Sequence, residues 1–564
     1  SGPFPPDHHP CHHRRSSSKV KLAAIHQKHR ARDILVEMDR NFWARAALIS
    51  CLLAIFQQNY GLKIRSGTLL RHSGRSPLSA LPVVADSAEA PGVAHKIVAV
   101  VPADQDSPYG GRYKATWQDV FNHVSDKLRW INATYQMSVF SDAELLEEGG
   151  GGFKKFEAEA RGADVFVGAS LQRGDVASVL ERTILEVPTR AIFNSTASVQ
   201  SLSLMGSYRP GGGPLAELLG LVGGARADRE LYRDCGMYWD RASSDDLQYA
   251  LLLLLHRYVA PVPLVSGGLG SDAGTVDCMM NKCKAEVVGC VTDATCRTAL
   301  VTLARGQAND QVAAYRAIVS YESPLFEQFS LCVLQKNNCM GRSAKIQMEP
   351  DTAPLAKWRG QPLSPQLAEE IFIGHLGPQP WSWKVAAGQN PAYDFFPCQH
   401  QIFYRAKARG NLWYDPVFKV ETLDGREVWR RRHYKVRPAE PGQRPGTYYF
   451  SVLDNGVTSM EFWRIVDCAD DLSYAVLAYQ GAAAAAGTSY GGSLLCTPDG
   501  EWPSPELMPR VEAAFARAGI KMWELYPVNN KLDSSDAPLG MPEEYLPFND
   551  FACNRVWDRE QFPL

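Results

Sequence analysis

The sequence predicts a chain of two unlike halves, α/β followed by all-β. Three observations carry this: short apolar runs alternating with amphipathic helices between Lys96 and Asn194, a crowd of cysteines from Cys278 to Cys339, and a ladder of alternating strands after Trp381. They read as an N-terminal doubly wound parallel-sheet domain, a disulfide-bonded cysteine-rich helical segment, and an eight-stranded up-and-down β-barrel with a C-terminal helix. At 564 residues, 45% of them hydrophobic, the chain can bury several cores, and its net charge of -2 gives no signal for nucleic acid.

Residues 1–92 read as a targeting region and linker. A basic, Ser-containing segment (Arg14, Arg15, Ser16 to Ser18, Lys19, Lys21) precedes the apolar stretch 46–56, and this suits a chloroplast address. No run reaches the roughly 18–20 apolar residues of a spanning helix. The histidines around Cys11 lie in a Pro-rich low-complexity tail, so no metal site is assigned.

In residues 93–265, apolar runs 97–101, 135–140, 164–168 and 190–194 alternate with helical stretches 116–130, 153–160 and 175–185, a flavodoxin-like pattern. No GxGxxG or P-loop follows the first run, so the role of this domain stays unassigned. In the cysteine-rich segment, 276–345, Cys278, Cys283, Cys290 and Cys296 lack the Cys-x-x-Cys pairs of a zinc ribbon. Nested bridges, Cys283 to Cys290 inside Cys278 to Cys296, fit those intervals across a helical hairpin.

Strand signals in 375–530 fall at 382–387, 400–406, 411–421, 427–436, 447–453, 461–466, 474–479 and 493–496, with hairpin turns at Asp424-Gly425 and Asn455-Gly456. Ser504-Pro505-Glu506 supplies the start of a terminal helix running towards Gly519, and 531–564 form a C-terminal extension.

Within this region Trp381-Ser382-Trp383, Asn390-Pro391-Ala392-Tyr393-Asp394, Pro397-Cys398-Gln399 and Tyr490-Gly491-Gly492 follow one another in a register that resembles the lipocalin domain of the violaxanthin de-epoxidase family, closest to its related proteins. The resemblance covers about 277–530. It implies a lipocalin-like barrel closed at its base by Trp383, and a plastid xanthophyll-binding oxidoreductase that opens an epoxy-carotenoid such as violaxanthin with ascorbate. A non-catalytic carotenoid carrier and a carotenoid isomerase are the alternatives.

By resemblance, Asp394 and Glu461 hold the catalytic carboxylates, the latter lengthened from aspartate by a methylene. Gln399, Trp463 and Tyr479 are expected to bind substrate. Cys332 and Cys339 match the last local disulfide pair, and Cys398 matches a bridge to the C-terminus, with Cys553 as its partner. Other family positions depart: Thr488 and Pro397 stand where aspartates are expected, Cys496 where a tyrosine is, and Gln401 and Tyr404 where two acid-sensing histidines are, leaving His400 nearby. Four further family cysteines fall on Thr302, Gly306, Ala313 and Ala317. Peripheral thylakoid-membrane association, a lumenal or stromal side and a homodimer stay open.

Overall fold

Residues that alternate between two cores make the first sheet. In a computed structural model, which describes residues 93–541 apart from positions 104, 111, 148, 211–217, 219, 222, 267–272, 307–309, 395, 406–411 and 440–443, Ile97, Ala99 and Val101 enter one apolar cluster, and Val98 and Val100 enter another. Such burial on both faces is what a parallel sheet requires. The strands are β1 (His95–Val101), β2 (Tyr135–Ser141), β3 (Val165–Ala169) and β4 (Thr189–Phe193), parallel and in the order β2-β1-β3-β4.

Helices α1 (Trp117–Ile131), α4 (Gly223–Asp240) and α5 (Ser244–Tyr258) cover one face, while α2 (Gly151–Ala160) and α3 (Gly174–Thr183) cover the other. A capping box starts α1: Asp119 N–H donates to Thr116 Oγ1 and Thr116 N–H to Asp119 Oδ2, each at 3.1 Å.

The cysteine-rich segment folds as α6 (Ala273–Lys282), α7 (Lys284–Thr292), α8 (Ala294–Arg305), α9 (Gln311–Ser320) and α10 (Pro324–Ser330). Its six cysteines are cross-linked, but the pairing differs from the nested expectation. Cys278 bonds Cys339 and Cys283 bonds Cys332, so neither closes on its near neighbour, and only Cys290–Cys296 is local. The physical reason is that Cys332 and Cys339 flank a turn that returns beside α6, which places two long-range partners nearer than the intervals suggest. Cys398 is a buried free thiol donating to Leu532 O, and Cys553 lies outside the described residues, as do the targeting region and the end of the C-terminal extension.

After α11 (Pro365–Ile373) comes the barrel: β5 (Trp383–Gly388), β6 (His400–Arg405), β7 (Leu412–Glu421), β8 (Glu427–Arg431), β9 (Tyr434–Pro438), β10 (Thr447–Asp454), β11 (Val457–Cys468), β12 (Ala475–Ala483) and β13 (Thr488–Thr497). β8 and β9 both pair with β7 and form one interrupted strand, so the closed antiparallel barrel has eight. β13 pairs with β5 and seals it.

The base is closed from two sides. Phe372 of α11 enters between Phe403 and Tyr448, at ring distances of 4.8 and 5.1 Å, and Trp383 donates its indole N–H to Ile371 O at 2.8 Å. Gly374 has φ +52°, and a Cβ there would stand 2.6 Å from Trp383 Nε1, so the turn admits glycine on both counts.

At the opposite mouth the cysteine-rich helices form a cap. Tyr315 of α9 packs on Tyr393, Phe396 and Phe418, and the Asn455-Gly456 turn fits so closely that a Cβ on Gly456 would lie 2.3 Å from Glu327 O. The terminal helix α12 (Met508–Arg517) begins three residues later than Pro505 suggests, because the ring of Pro509 bars a helical carbonyl four residues before it. Val511, Ala514 and Phe515 of α12 pack on the outer barrel face with Val466, Val476 and Leu495.

A buried ionic cluster locks the two folds together. Glu524, beyond α12, lies 2.8 Å from His123 Nε2 and 3.1 Å from Lys127 Nζ of α1, and Lys127 also contacts Asp245 of α5 at 2.5 Å. Burial alone would push the Glu524 carboxyl up, but the Lys127 ammonium and His123 outweigh it and hold it well below the usual carboxylate range. Removing the ammonium leaves the Glu524 carboxyl buried with only His123 and Ser244 beside it: Lys127→Met is expected to cost about 3–5 kcal/mol, read from the urea midpoint.

Candidate functional site: two carboxyls in the barrel mouth

The site begins with a glycine that ends β5. A Cβ on Gly388 would fall 2.1 Å from the Asp394 Cβ, so only glycine lets the following loop fold back over the strand. Asn390 shapes that loop: its side-chain oxygen accepts from Ala392 N at 2.9 Å, its carbonyl from Asp394 N at 2.7 Å, and its side-chain amide donates to Gly491 O of β13 at 3.1 Å. The result turns Asp394 inwards.

The Asp394 carboxyl accepts from Asn390 N at 2.8 Å and from the Tyr479 hydroxyl at 3.1 and 3.2 Å. It is 3% exposed, and burial, reinforced by the Glu461 charge against these hydrogen bonds, pushes it up to about 8. Asp394 is therefore a neutral acid at pH 7.

Glu461 of β11 is the second buried carboxyl. One oxygen accepts from the Trp463 indole at 2.7 Å and the other from the Tyr490 hydroxyl at 2.8 Å, with Tyr434 as a further donor. Burial pushes it above its ordinary value and those donors draw it back. Gly481, its cross-strand partner, makes room: a Cβ there would lie 2.5 Å from the Tyr490 ring and 2.9 Å from Glu461 Cγ.

Trp463 and Tyr479 form the floor between these groups. They are opposed in register and stacked at 4.9 Å, and Trp463 stacks again on Phe450 at 4.6 Å. Tyr479 thus both packs and donates to Asp394. Gln399 does neither with the carboxyls: its side-chain amide donates to Tyr393 O, and its backbone N–H to Asn530 Oδ1 at 3.1 Å, so it braces the loop from behind.

Tyr490, Tyr434 and Asn390 are partners that sequence reasoning did not assign. For Tyr490 a signal existed, since extending the strand from Ser493 back through Gly492 places it on the inward face, across from Gly481.

The departures from the family pattern have local accounts. His400 is buried beside Lys384 and lowered to about 4, so it stays neutral where a histidine sensor would charge. Cys496 is buried in the row of Val385 and Ala475, nearer the base, and burial pushes its thiol up. Arg430, Arg431 and Arg432 are all engaged in ion pairs: Arg430 with Glu322 of the cap, Arg431 with Asp415 at 2.6 Å and Arg432 with Asp454 at 2.6 Å.

Asp394 takes up a proton on folding between its ordinary 3.8 and about 8. Its favourable share is complete below pH 4 and is lost as pH rises through 8. Asp394→Asn should flatten the fall in stability across that window in denaturation at stepped pH. Gly388→Ala, which drives a methyl group into Asp394, should cost at least about 1–3 kcal/mol by the same assay.

Comparison with known proteins agrees with the barrel. Residues 275–530 match the family model described as the VDE lipocalin domain. The chloroplastic violaxanthin de-epoxidase of Nicotiana tabacum is 22% identical over 253 residues, which are 43% of this chain and 48% of that protein. The chain thus spans about half the length of that relative. Among solved structures, apocrustacyanin C2 is 16% identical over 28% of this chain and 78% of its own, at a TM-score of 0.21. The siderocalin Ex-FABP is 13% identical over 26% and 91%, at 0.20, scores too low to bear on fold or function. Residues 275–530 thus match the violaxanthin de-epoxidase lipocalin domain, and the closed eight-stranded barrel agrees with that description.

Proposed function

We propose that this protein binds an epoxy-carotenoid in its barrel and opens the epoxide reductively, with ascorbate as the electron donor. The observation that carries the reading is Asp394, a carboxylic acid kept neutral to about pH 8 in an aromatic enclosure. An epoxide oxygen leaves only when protonated, and a buried acid that still holds its proton at neutral pH is suited to supply it. Asp394 gives its proton to the ring oxygen while Tyr479 steadies the carboxylate left behind, and Glu461 holds the second carboxyl of the pair. Ascorbate supplies two electrons and two protons, so epoxide and ascorbate give alkene, dehydroascorbate and water.

The three disulfides support an oxidising compartment, and the chloroplastic relative supports a plastid. The thylakoid lumen satisfies both. A second reading, carotenoid carriage without chemistry, is favoured by the loss of family positions at Thr488, Pro397 and Cys496.

The test is incubation of the oxidised protein with violaxanthin in lipid micelles and ascorbate from pH 5 to 9, with pigments separated by chromatography. De-epoxidised products should form, the rate should fall as pH passes about 8, and Asp394→Asn should slow it by about 10²–10⁴-fold. Pigment bound but unchanged establishes the carrier, and an isomer formed without ascorbate consumption establishes isomerisation.

A further inference from the structure

The polar side chains that open α5 are bonded to the barrel rather than to their own helix. Ser243 stands at the N-cap and makes no side-chain capping bond. It is hydrogen-bonded instead to Tyr526, whose two-residue strand, Tyr526–Pro527, pairs with Gly388 and Ala387 of β5. Ser244 Oγ donates to Glu524 and accepts from Lys127 at 2.9 Å. Asp245 Oδ2 accepts from the Gln389 side-chain amide at 2.7 Å, and its Oδ1 lies 2.5 Å from Lys127 Nζ. Three successive residues thus hold the barrel at 388–389: Asp245 through Gln389, and the two serines through the 524–526 stretch that lies beside Gly388.

That short segment carries the acid. A Cβ on Gly388 would lie 2.1 Å from Asp394 Cβ, Gln389 N–H donates to Ser493 O at 3.0 Å, and Asn390 N–H donates to the Asp394 carboxyl at 2.8 Å. With backbone and acid in such close contact, a displaced segment takes Asp394 with it or opens a way for water beside it. Around the carboxyl stand Glu461 of β11, Tyr479 of β12, Cys496 of β13 and Tyr414 of β7, and burial keeps the last three neutral well above pH 8. Asp245 is faced by Lys127 of α1, Asp246 of its own helix and Tyr526. Gln389, itself buried, links the two groups of charges.

We infer that the first turn of α5 positions the barrel acid: Asp245, acting through Gln389, and Ser243, acting through Tyr526, hold the turn that keeps Asp394 in its dry enclosure. This is what the α/β domain contributes to the site. Asp245 and Ser243 are positioning residues, since they act on Asp394 through others. The inference rests on the reading of Asp394 as the acid of the proposed reaction. Freeing the turn has two opposed effects on that acid: water reaching the carboxyl favours its charged form, and loss of the Asn390 donor disfavours it. Burial is the largest influence on Asp394, so the first effect wins and the acid ionises at lower pH.

The experiment follows the protonated carboxyl of Asp394 in the full chain by infrared difference spectroscopy from about pH 4 to 10, without pigment, and takes the band missing from Asp394→Asn as its signal. The unmutated midpoint is expected at about 8. Gln389→Leu and Asp245→Leu should each lower it by at least about one pH unit, whereas Asp245→Asn, which keeps an oxygen for the Gln389 amide, should hold it within about 0.3 unit. A merely structural joint would lower the urea midpoint and leave the ionisation where it was. An unmoved midpoint in Gln389→Leu with native circular dichroism therefore overturns the inference, as does a shift in Asp245→Asn as large as that in Asp245→Leu. The pigment assay can fail separately: unreduced pigment together with a shifted midpoint leaves the positioning role standing and removes the reductive reading alone.

Discussion

Enclosing a carboxyl group where water cannot reach it sets the terms for much of the surrounding structure. Ionised, Asp394 would need solvation that its aromatic surroundings withhold; neutral, it needs only a few well-aimed partners. The Asn390 turn, the Tyr479 hydroxyl and the bare face of Gly388 answer that need from three separate strands or loops. Glu461 repeats the arrangement with Trp463, Tyr490 and the bare face of Gly481. Glycines in strands usually weaken them, yet here they are the sites where bulky polar groups enter the barrel.

The cap and the α/β domain serve the same end by fixing the mouth. Arg430 and Arg432 reach Glu322 on the cap, and Gln335 accepts from Thr458 N at 2.9 Å, so two hairpin tips are held to a segment that is itself stapled by disulfides. On the far side Arg431 donates to Pro538 O and Gly540 O, at 2.9 and 2.8 Å, and straps the chain leaving the barrel across its outer face. A row of three arginines thereby ties the barrel to two segments, the cap and the chain that leaves it.

Continuous apolar runs between helices made the first sheet legible and alternation at every second residue the barrel, whereas Asp394 and Glu461 were reached only through the family resemblance, Asp394 lying on a loop that no periodicity marks. The ends of β12 and β13 were not legible. Gly481, Ala482 and Ala483, and the glycines before Ser493, have low strand propensity, and only their neighbours' hydrogen bonds keep them extended, which hid Tyr490. The cysteine partners were also out of reach, since sequence separations of 61 and 49 depend on how helices return past one another. Nothing in the helical stretch 116–130 singles out His123 and Lys127 in the sequence. Their closeness to Glu524 in space is what reveals their role.

That ionic lock carries a temporal consequence. Lys127 and Glu524 are 397 residues apart, so at ordinary synthesis speeds of about 5–20 residues per second the ammonium is made roughly 20–80 seconds before its carboxylate. Until then Lys127 has only Ser244 and Asp245 of α5 as partners, and a joint closed over it would lack the buried carboxylate that completes the cluster. The nascent chain is thus discouraged from docking its halves early, and the joint completes only when the barrel and the segment beyond it have been delivered.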